Sequence, residues 1–176
     1  VETGELIGYK SRDLSKEKRD GIRFSGDSSR MSLFGIGAQP KHATTAVLVE
    51  GEPDALALAT VNKDVAVYAI PGAEHTEKSI KKAFPLINTY KRIVLLLDND
   101  EPGKRATEKA LSILPKSKLY VANLPANYKD VGEMVQQGST TEVNTLVKNA
   151  KQVMPPAIVD DHDLLKEYLD SYNGVH

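Results

Sequence analysis

Four aliphatic runs punctuate the middle of the chain: Ala46–Val49, Val65–Ile70, Ile93–Leu97 and Lys118–Ala122. Uninterrupted apolar stretches of this length are the pattern of strands buried on both faces, as in a parallel sheet. Between and after them the period changes to the helical one. Asp54–Ala59, about Thr76–Ile87, a segment opening near Pro102, about Val131–Gln137 and Thr141–Ala150 all read as helices. Strands alternating with helices predict an α/β sheet.

The flanks differ from this core. Residues 1–45 hold short β-like pieces, Leu6–Lys10, Gly21–Gly26 and Ser32–Gly35, separated by polar turns, and they predict a small mixed β subdomain. After residue 152, Met154-Pro155-Pro156 breaks the pattern, and Asp160–Tyr172 reads as an acidic amphipathic helix with Leu164, Leu165, Tyr168 and Leu169 on one face. We therefore expect three segments: 1–45, 46–152 as the sheet domain, and 153–176 as linker and helix.

Composition narrows the chemistry. The 176 residues carry a net charge of −1, so any contact with nucleic acid must come from local patches. Two patches qualify. Between Gly8 and Met31 seven basic residues (Lys10, Arg12, Lys16, Lys18, Arg19, Arg23, Arg30) face four acids, and residues 78–92 carry five basic residues and no acid. On a helix, Lys78, Lys81 and Lys82 share one face, suited to tracking template phosphates. The chain has no cysteine, which excludes disulfides and a Cys-rich zinc site within it. Its four histidines lack metal-ligand spacing. No targeting segment or long apolar span is evident, so a cytoplasmic setting without membrane contact is expected. The start without Met, inside a β-like segment, suggests a fragment excised from a longer protein.

The candidate chemistry follows two of the strands. Glu50-Gly51-Glu52-Pro53-Asp54 comes directly after one run, and Asp98-Asn99-Asp100-Glu101-Pro102-Gly103 after another. Ligand crevices of open α/β sheets lie beyond the carboxyl ends of strands. Asp98 and Asp100 are two apart and project to the same side in extended backbone. Carboxylates gathered there form the oxygen set that Mg²⁺ prefers. An EF-hand is excluded, because Pro102 and Lys109 occupy positions that need an oxygen ligand and a Glu. A P-loop is excluded as well, since Gly103-Lys104-Arg105 has neither the first glycine nor the hydroxyl.

These residues resemble the TOPRIM signature of primases, topoisomerases and some nucleases: a Glu on one strand (Glu50) and a DxDxxG on another (Asp98 to Gly103). Pro71-Gly72-Ala73 is similar to the glycine turn between those motifs, and Lys129-Asp130-Val131-Gly132-Glu133 to the Lys-Asp-x-x-Glu segment of primase-type members. The resemblance implies a TOPRIM fold with a mainly parallel four-stranded sheet. It also implies Mg²⁺ or Mn²⁺ at Asp98 and Asp100, with Asp130 as a helper. Glu50 is left as metal ligand or as general base for a 3′-hydroxyl.

The N-terminal segment resembles the basic subdomain that precedes TOPRIM in bifunctional phage primase-helicases, through Gly4–Asp13, Phe24-Ser25-Gly26 and Leu33-Phe34-Gly35. Lys10 and Arg12 match that family's Lys-x-Arg pair. With Lys18, Arg23 and Lys129 they are the expected binders of nucleotide and template, and Lys78, Lys81 and Lys82 of DNA. The implied activity is that of a primase catalytic domain, a DNA-directed RNA polymerase making short primers on single-stranded DNA from ribonucleoside triphosphates. Implied partners in a full-length protein are a zinc-binding domain and a hexameric helicase. A non-priming DNA-binding module and a TOPRIM nuclease or topoisomerase fragment are the rival readings.

Overall fold

The computed structural model describes residues 8–16, 18–27 and 30–154, with Lys18 and Arg19 described by backbone alone. The expected helix at Asp160–Tyr172 lies outside the described residues. The chain divides into two compact units, Val1–Ser32 and Leu33–His176.

In the first unit, β1 (Gly8–Arg12) and β2 (Ile22–Gly26) pair antiparallel, joined through the short helix α1 (Lys18–Gly21). The turn is tied by Asp13, whose Oδ1 accepts from the Ser15 amide (3.0 Å) and hydroxyl (2.7 Å). Those bonds, with Lys16 at 3.4 Å, hold its carboxyl below the usual range. All but the first residue of each strand is exposed.

The second unit contains the predicted α/β sheet and also takes in residues 33–45. Its strands are β3 (Thr45–Glu50), β4 (Ala66–Ile70), β5 (Arg92–Leu95), β6 (Leu119–Val121) and β7 (Lys151–Gln152), in the order β4-β3-β5-β6-β7. The first four are parallel. The fifth, β7, joins antiparallel at the edge and was not anticipated, since two exposed polar residues carry no strand pattern. Alternation along β3 divides its side chains between two cores. Ala46 and Leu48 pack under α3 (Thr76–Ile87) and α4 (Glu101–Ile113), while Val47 and Val49 pack under α2 (Glu52–Val61), α5 (Val131–Gln136) and α6 (Thr140–Lys148). Burial on both faces is why these strands are aliphatic throughout.

The edges are closed by polar devices. Beside β4, Phe34 makes an antiparallel bridge to Ala69, and the Gln39 side-chain amide bonds Val67 as a neighbouring strand would, donating to its carbonyl (2.6 Å) and accepting from its amide (2.7 Å). At the start of β5, Arg92 donates to the carbonyls of Val147 and Lys148 at the end of α6 (2.8 and 3.1 Å), with its guanidinium 4.4 Å from the Tyr120 ring centre.

Candidate metal centre and its surroundings

The direction of chain winding reverses between β3 and β5. From β3 the chain goes to β4 on one side through α2, which lies on one face of the sheet. It later enters β5 on the other side of β3, and α4 after β5 lies on the opposite face. Such a reversal opens a crevice at the carboxyl ends of the two strands. Because Leu48 pairs with Leu95, Glu50 at the end of β3 and the loop after β5 fall at the same level.

The three acids converge there. One oxygen each from Glu50, Asp98 and Asp100 lies within 4.8 Å of the others. Two glycines make this arrangement sterically open. Gly51 takes φ 85°, a left-handed conformation that turns the chain from Glu50 into α2. At Gly103 a Cβ would lie 2.1 Å from the Asp98 carbonyl oxygen, so any side chain would push the Asp98 loop away from α4. Asp100 is the N-cap of α4, accepting from the Gly103 amide at 2.9 Å, which fixes its carboxylate while leaving a second oxygen for a ligand.

The electrostatics are unfavourable without a cation. Asp98 is only 9 % exposed, and its pKa is pushed up to about 8, first by burial and then by the charges of Glu50, Asp54, Asp130 and Asp100. Five clustered carboxyl groups cannot all ionise cheaply in so little water. This donor set, all carboxylate oxygen, fits a hard divalent cation.

Two further acids belong to the neighbourhood. Asp54, in the first turn of α2, is buried, and its Oδ1 accepts from the Gly132 amide at 2.7 Å. The sequence signal for it was weak, because an acid at that position equally suits the helix dipole. Asp130 stands outside the group of three, although its charge reaches Asp98. Its Oδ1 caps α5 by accepting from the Glu133 amide (2.8 Å), and Glu133 Oε2 in return accepts from the Lys129 amide (2.8 Å). Glu133 is thereby spent on the helix terminus. The Asn99 amide bonds the Lys129 carbonyl (3.0 Å), holding this segment against the Asp98 loop while the Lys129 side chain is exposed.

Beside Asp98 lies a cavity of about 220 Å³ with Asn99, Lys104, Thr107 and Asn123 among its walls, over Leu95 and Leu97. Lys104 pairs with Glu101 at 2.7 Å. The other basic candidates fall in two places. Lys78, Lys81 and Lys82 share the exposed face of α3, where Lys81 pairs with Glu77 at 2.6 Å. Lys10 and Arg12 project from one face of the β1–β2 hairpin and Arg23 from the other. The Lys18 side chain lies outside the described residues.

Comparison with known proteins places this arrangement. The chain is 28% identical, over 99% of its length, to a DNA helicase/primase of Enterobacteria phage T3, of which it spans only 30%. It resembles the primase fragment of the bacteriophage T7 primase-helicase with TM-score 0.69 and 28% identity, covering 82% of this chain and 57% of that one. A chain from the bacteriophage T7 assembly of lagging-strand DNA polymerase with primase domains, bound to an RNA/DNA hybrid and dTTP, gives TM-score 0.71 and 29% identity over 85% of this chain and 74% of that one. Among the described residues no helix is long and apolar enough to cross a membrane. The Toprim-like family signature matches residues 47–135, half of the chain and the stretch that carries Glu50, Asp98, Asp100 and Asp130, and the chain belongs to that family.

Proposed function

We propose that the chain is the catalytic domain of a DNA primase, which joins ribonucleotides on a single-stranded DNA template in DNA replication. The carrying observation is the convergence of Glu50, Asp98 and Asp100 at the reversal point of a parallel sheet. The likeness to phage primase-helicases supports primer synthesis over the other chemistries of such a carboxylate set. In the reaction a nucleotide 3′-hydroxyl attacks the α-phosphate of an incoming ribonucleoside triphosphate. A P–O bond forms, pyrophosphate leaves, and the hydroxyl proton passes to a base.

Asp98 and Asp100 would hold Mg²⁺ or Mn²⁺, with Glu50 and Asp130 beside them, and the cation would neutralise phosphate charge as the new bond forms. Asp98 must release its proton for this, because a ligand has to be the carboxylate. Glu50 either takes the hydroxyl proton or completes the metal shell. The cavity beside Asp98, with amide, hydroxyl and lysine groups in its wall, suits a nucleotide. Lys10, Arg12, Lys18, Arg23 and Lys129 bind triphosphate and template, and Lys78, Lys81 and Lys82 the template phosphates. We assign residues 1–45 to the basic subdomain, 46–152 to TOPRIM and 153–176 to the linker. In the longer protein a zinc-binding domain and a hexameric helicase complete the assembly, acting in the cytoplasm of the host.

The test supplies ribonucleotides, Mg²⁺ and a single-stranded template, with a zinc domain added in trans, and follows RNA products and DNA integrity together. Glu50→Gln should lower dinucleotide synthesis about 10²–10⁴-fold while leaving DNA binding nearly intact. Nicked DNA without RNA would overturn the reading in favour of strand cleavage. Neither product, with DNA binding preserved, would overturn it in favour of a DNA-binding module.

A further inference from the structure

The β1–β2 hairpin carries two aromatic side chains where a two-stranded ribbon has no core in which to hide them. Tyr9 is 60% and Phe24 39% exposed. Single exposed aromatics are ordinary, so the register decides whether these mean more. Directly opposed residues of an antiparallel pair share a face. Lys10 stands opposite Phe24, Arg12 opposite Ile22 and Gly8 opposite Gly26. One face therefore presents an aromatic ring, a lysine and an arginine together. A Cβ at Gly8 would lie 2.9 Å from Phe24 Cζ, so the ring leans across the bare glycine backbone rather than standing away from the ribbon. Arg12 is anchored as well, Nη2 donating to the Lys16 carbonyl at 3.4 Å. Lys10 and Arg12 are on the order of 7 Å apart along the strand.

We propose that this face is a stacking platform for a base of a single-stranded nucleic acid, with Phe24 as the stacking surface and Lys10 and Arg12 as its phosphate contacts. The inference rests on the reading of Lys10 and Arg12 as template-binding residues and adds a side chain that this reading does not use. An apolar protein partner would strip water from the Lys10 and Arg12 charges, which is unfavourable. A duplex keeps its bases stacked inside and offers the ring nothing. An unpaired strand supplies both an open π-face and flanking phosphates, and stacking of this kind is tolerant of base identity. The opposite face has Tyr9 across from Ser25 and Arg23 across from Ser11. Tyr9 shares its face with no glycine floor, and it serves as the internal control.

The experiment measures binding of the whole chain to labelled dT10 and to an abasic oligonucleotide of equal length, by fluorescence anisotropy over a series of salt concentrations. Wild type should favour dT10 by about 5–150-fold, the range for one stacked base. Phe24→Ala, and Phe24→Leu, which retains apolar cover over Gly8, should bring that ratio near one and keep the salt dependence. Phe24→Trp should keep the ratio, with indole fluorescence quenched by dT10 and not by the abasic strand. Lys10→Ala with Arg12→Ala should flatten the salt dependence and keep the ratio, and Tyr9→Ala should change neither. A dT10 preference that Phe24→Leu leaves intact would overturn the stacking proposal alone. Equal wild-type affinity for the two strands would do the same. Absence of binding to either strand at low salt would overturn it together with the template-binding reading of Lys10 and Arg12.

Discussion

The hairpin of residues 8–26 and the parallel sheet are both β-structure, yet they solve opposite problems. Every residue of β4 is buried, as are the four central residues of β3, whereas β1 and β2 expose four residues out of five. In the sheet, apolar burial on two faces fixes the backbone firmly enough to hold mutually repelling carboxylates at one end. In the hairpin, ladder bonds and a turn do most of the work, and the cationic side chains extend into water. A site that stores repulsion needs a core behind it, and a surface that meets a polyanion does not. The comparison yields predictions on both sides.

The largest effect belongs to the charged end of the sheet. Burial and the neighbouring carboxylates push the Asp98 carboxyl up to about 8 from an ordinary 3.8, so the folded state binds the proton more tightly than the unfolded chain. The contribution of Asp98 to metal-free stability is therefore fully present below about pH 4 and is lost as the pH rises to about 8, with a limiting slope of ~1.4 kcal/mol per pH unit. Asp98→Asn should flatten this fall, measured by urea denaturation in chelator at several pH values. Mn²⁺ should bind wild type more tightly at pH 8 than at pH 6, because Asp98 gives up its proton, and should bind the variant poorly. A metal-free protein whose stability rises over that interval, relative to Asp98→Asn, would refute the stored repulsion.

Next comes the core itself. Leu48 is fully buried between β3 and the α3–α4 layer, and Leu48→Ala should cost about 2–5 kcal/mol. Phe24→Ala on the hairpin removes a larger side chain from a half-wet site and should cost under about 1 kcal/mol. The two variants, compared in one denaturation series, test whether burial or residue size governs. Equal losses would erase the contrast between the two regions.

That contrast also explains what the sequence could express. The aliphatic runs at 46–49, 65–70, 93–97 and 118–122 stand at the four parallel strands because a strand buried on both faces has little room for polar residues. The helix expected at Thr76–Ile87 has those very limits, since Ser79, Ile80, Ala83 and Ile87 keep the helical period on its buried side. Glu50, Asp98 and Asp100 were conspicuous as acids at the ends of such strands. Asp54 was not, because its participation depends on the Gly132 amide 78 residues away. The strand β7 was illegible for a similar reason: Lys151 and Gln152 pair with Val121 and Tyr120 through backbone alone. Gln39, acting as a strand partner for Val67, is a tertiary fact with no periodic signal.

Gln39 is also where the sheet comes nearest to the hairpin's condition, with a partner on only one side of β4 replaced by a side chain. Gln39→Ala removes the bonds to the Val67 amide and carbonyl and should cost about 1–3 kcal/mol. Amide hydrogen exchange should locate the loss at Val67 and the Phe34–Ala69 bridge. Protection unchanged at both would mean that water replaces the side chain freely and that the edge is as open as the hairpin.

The smallest expected effect concerns α3, whose exposed face shares the cationic character of the hairpin while standing on the unit that carries the parallel sheet. Glu77 lies four residues before Lys81, pairs with it at 2.6 Å, and has its carboxyl pKa held down by that lysine. The pair is exposed and screened by solvent, so Glu77→Gln should change stability only slightly. Its effect on DNA is of opposite sign. Removing one acid beside Lys78, Lys81 and Lys82 leaves Lys81 available to a phosphate and should tighten single-stranded DNA binding modestly at low salt, with the gain fading as salt rises. Lys81→Ala in the Glu77→Gln background should abolish the gain. If Glu77→Gln leaves DNA affinity unchanged at every salt concentration, α3 carries a solvated face, and of the two cationic patches only the hairpin remains a candidate template contact.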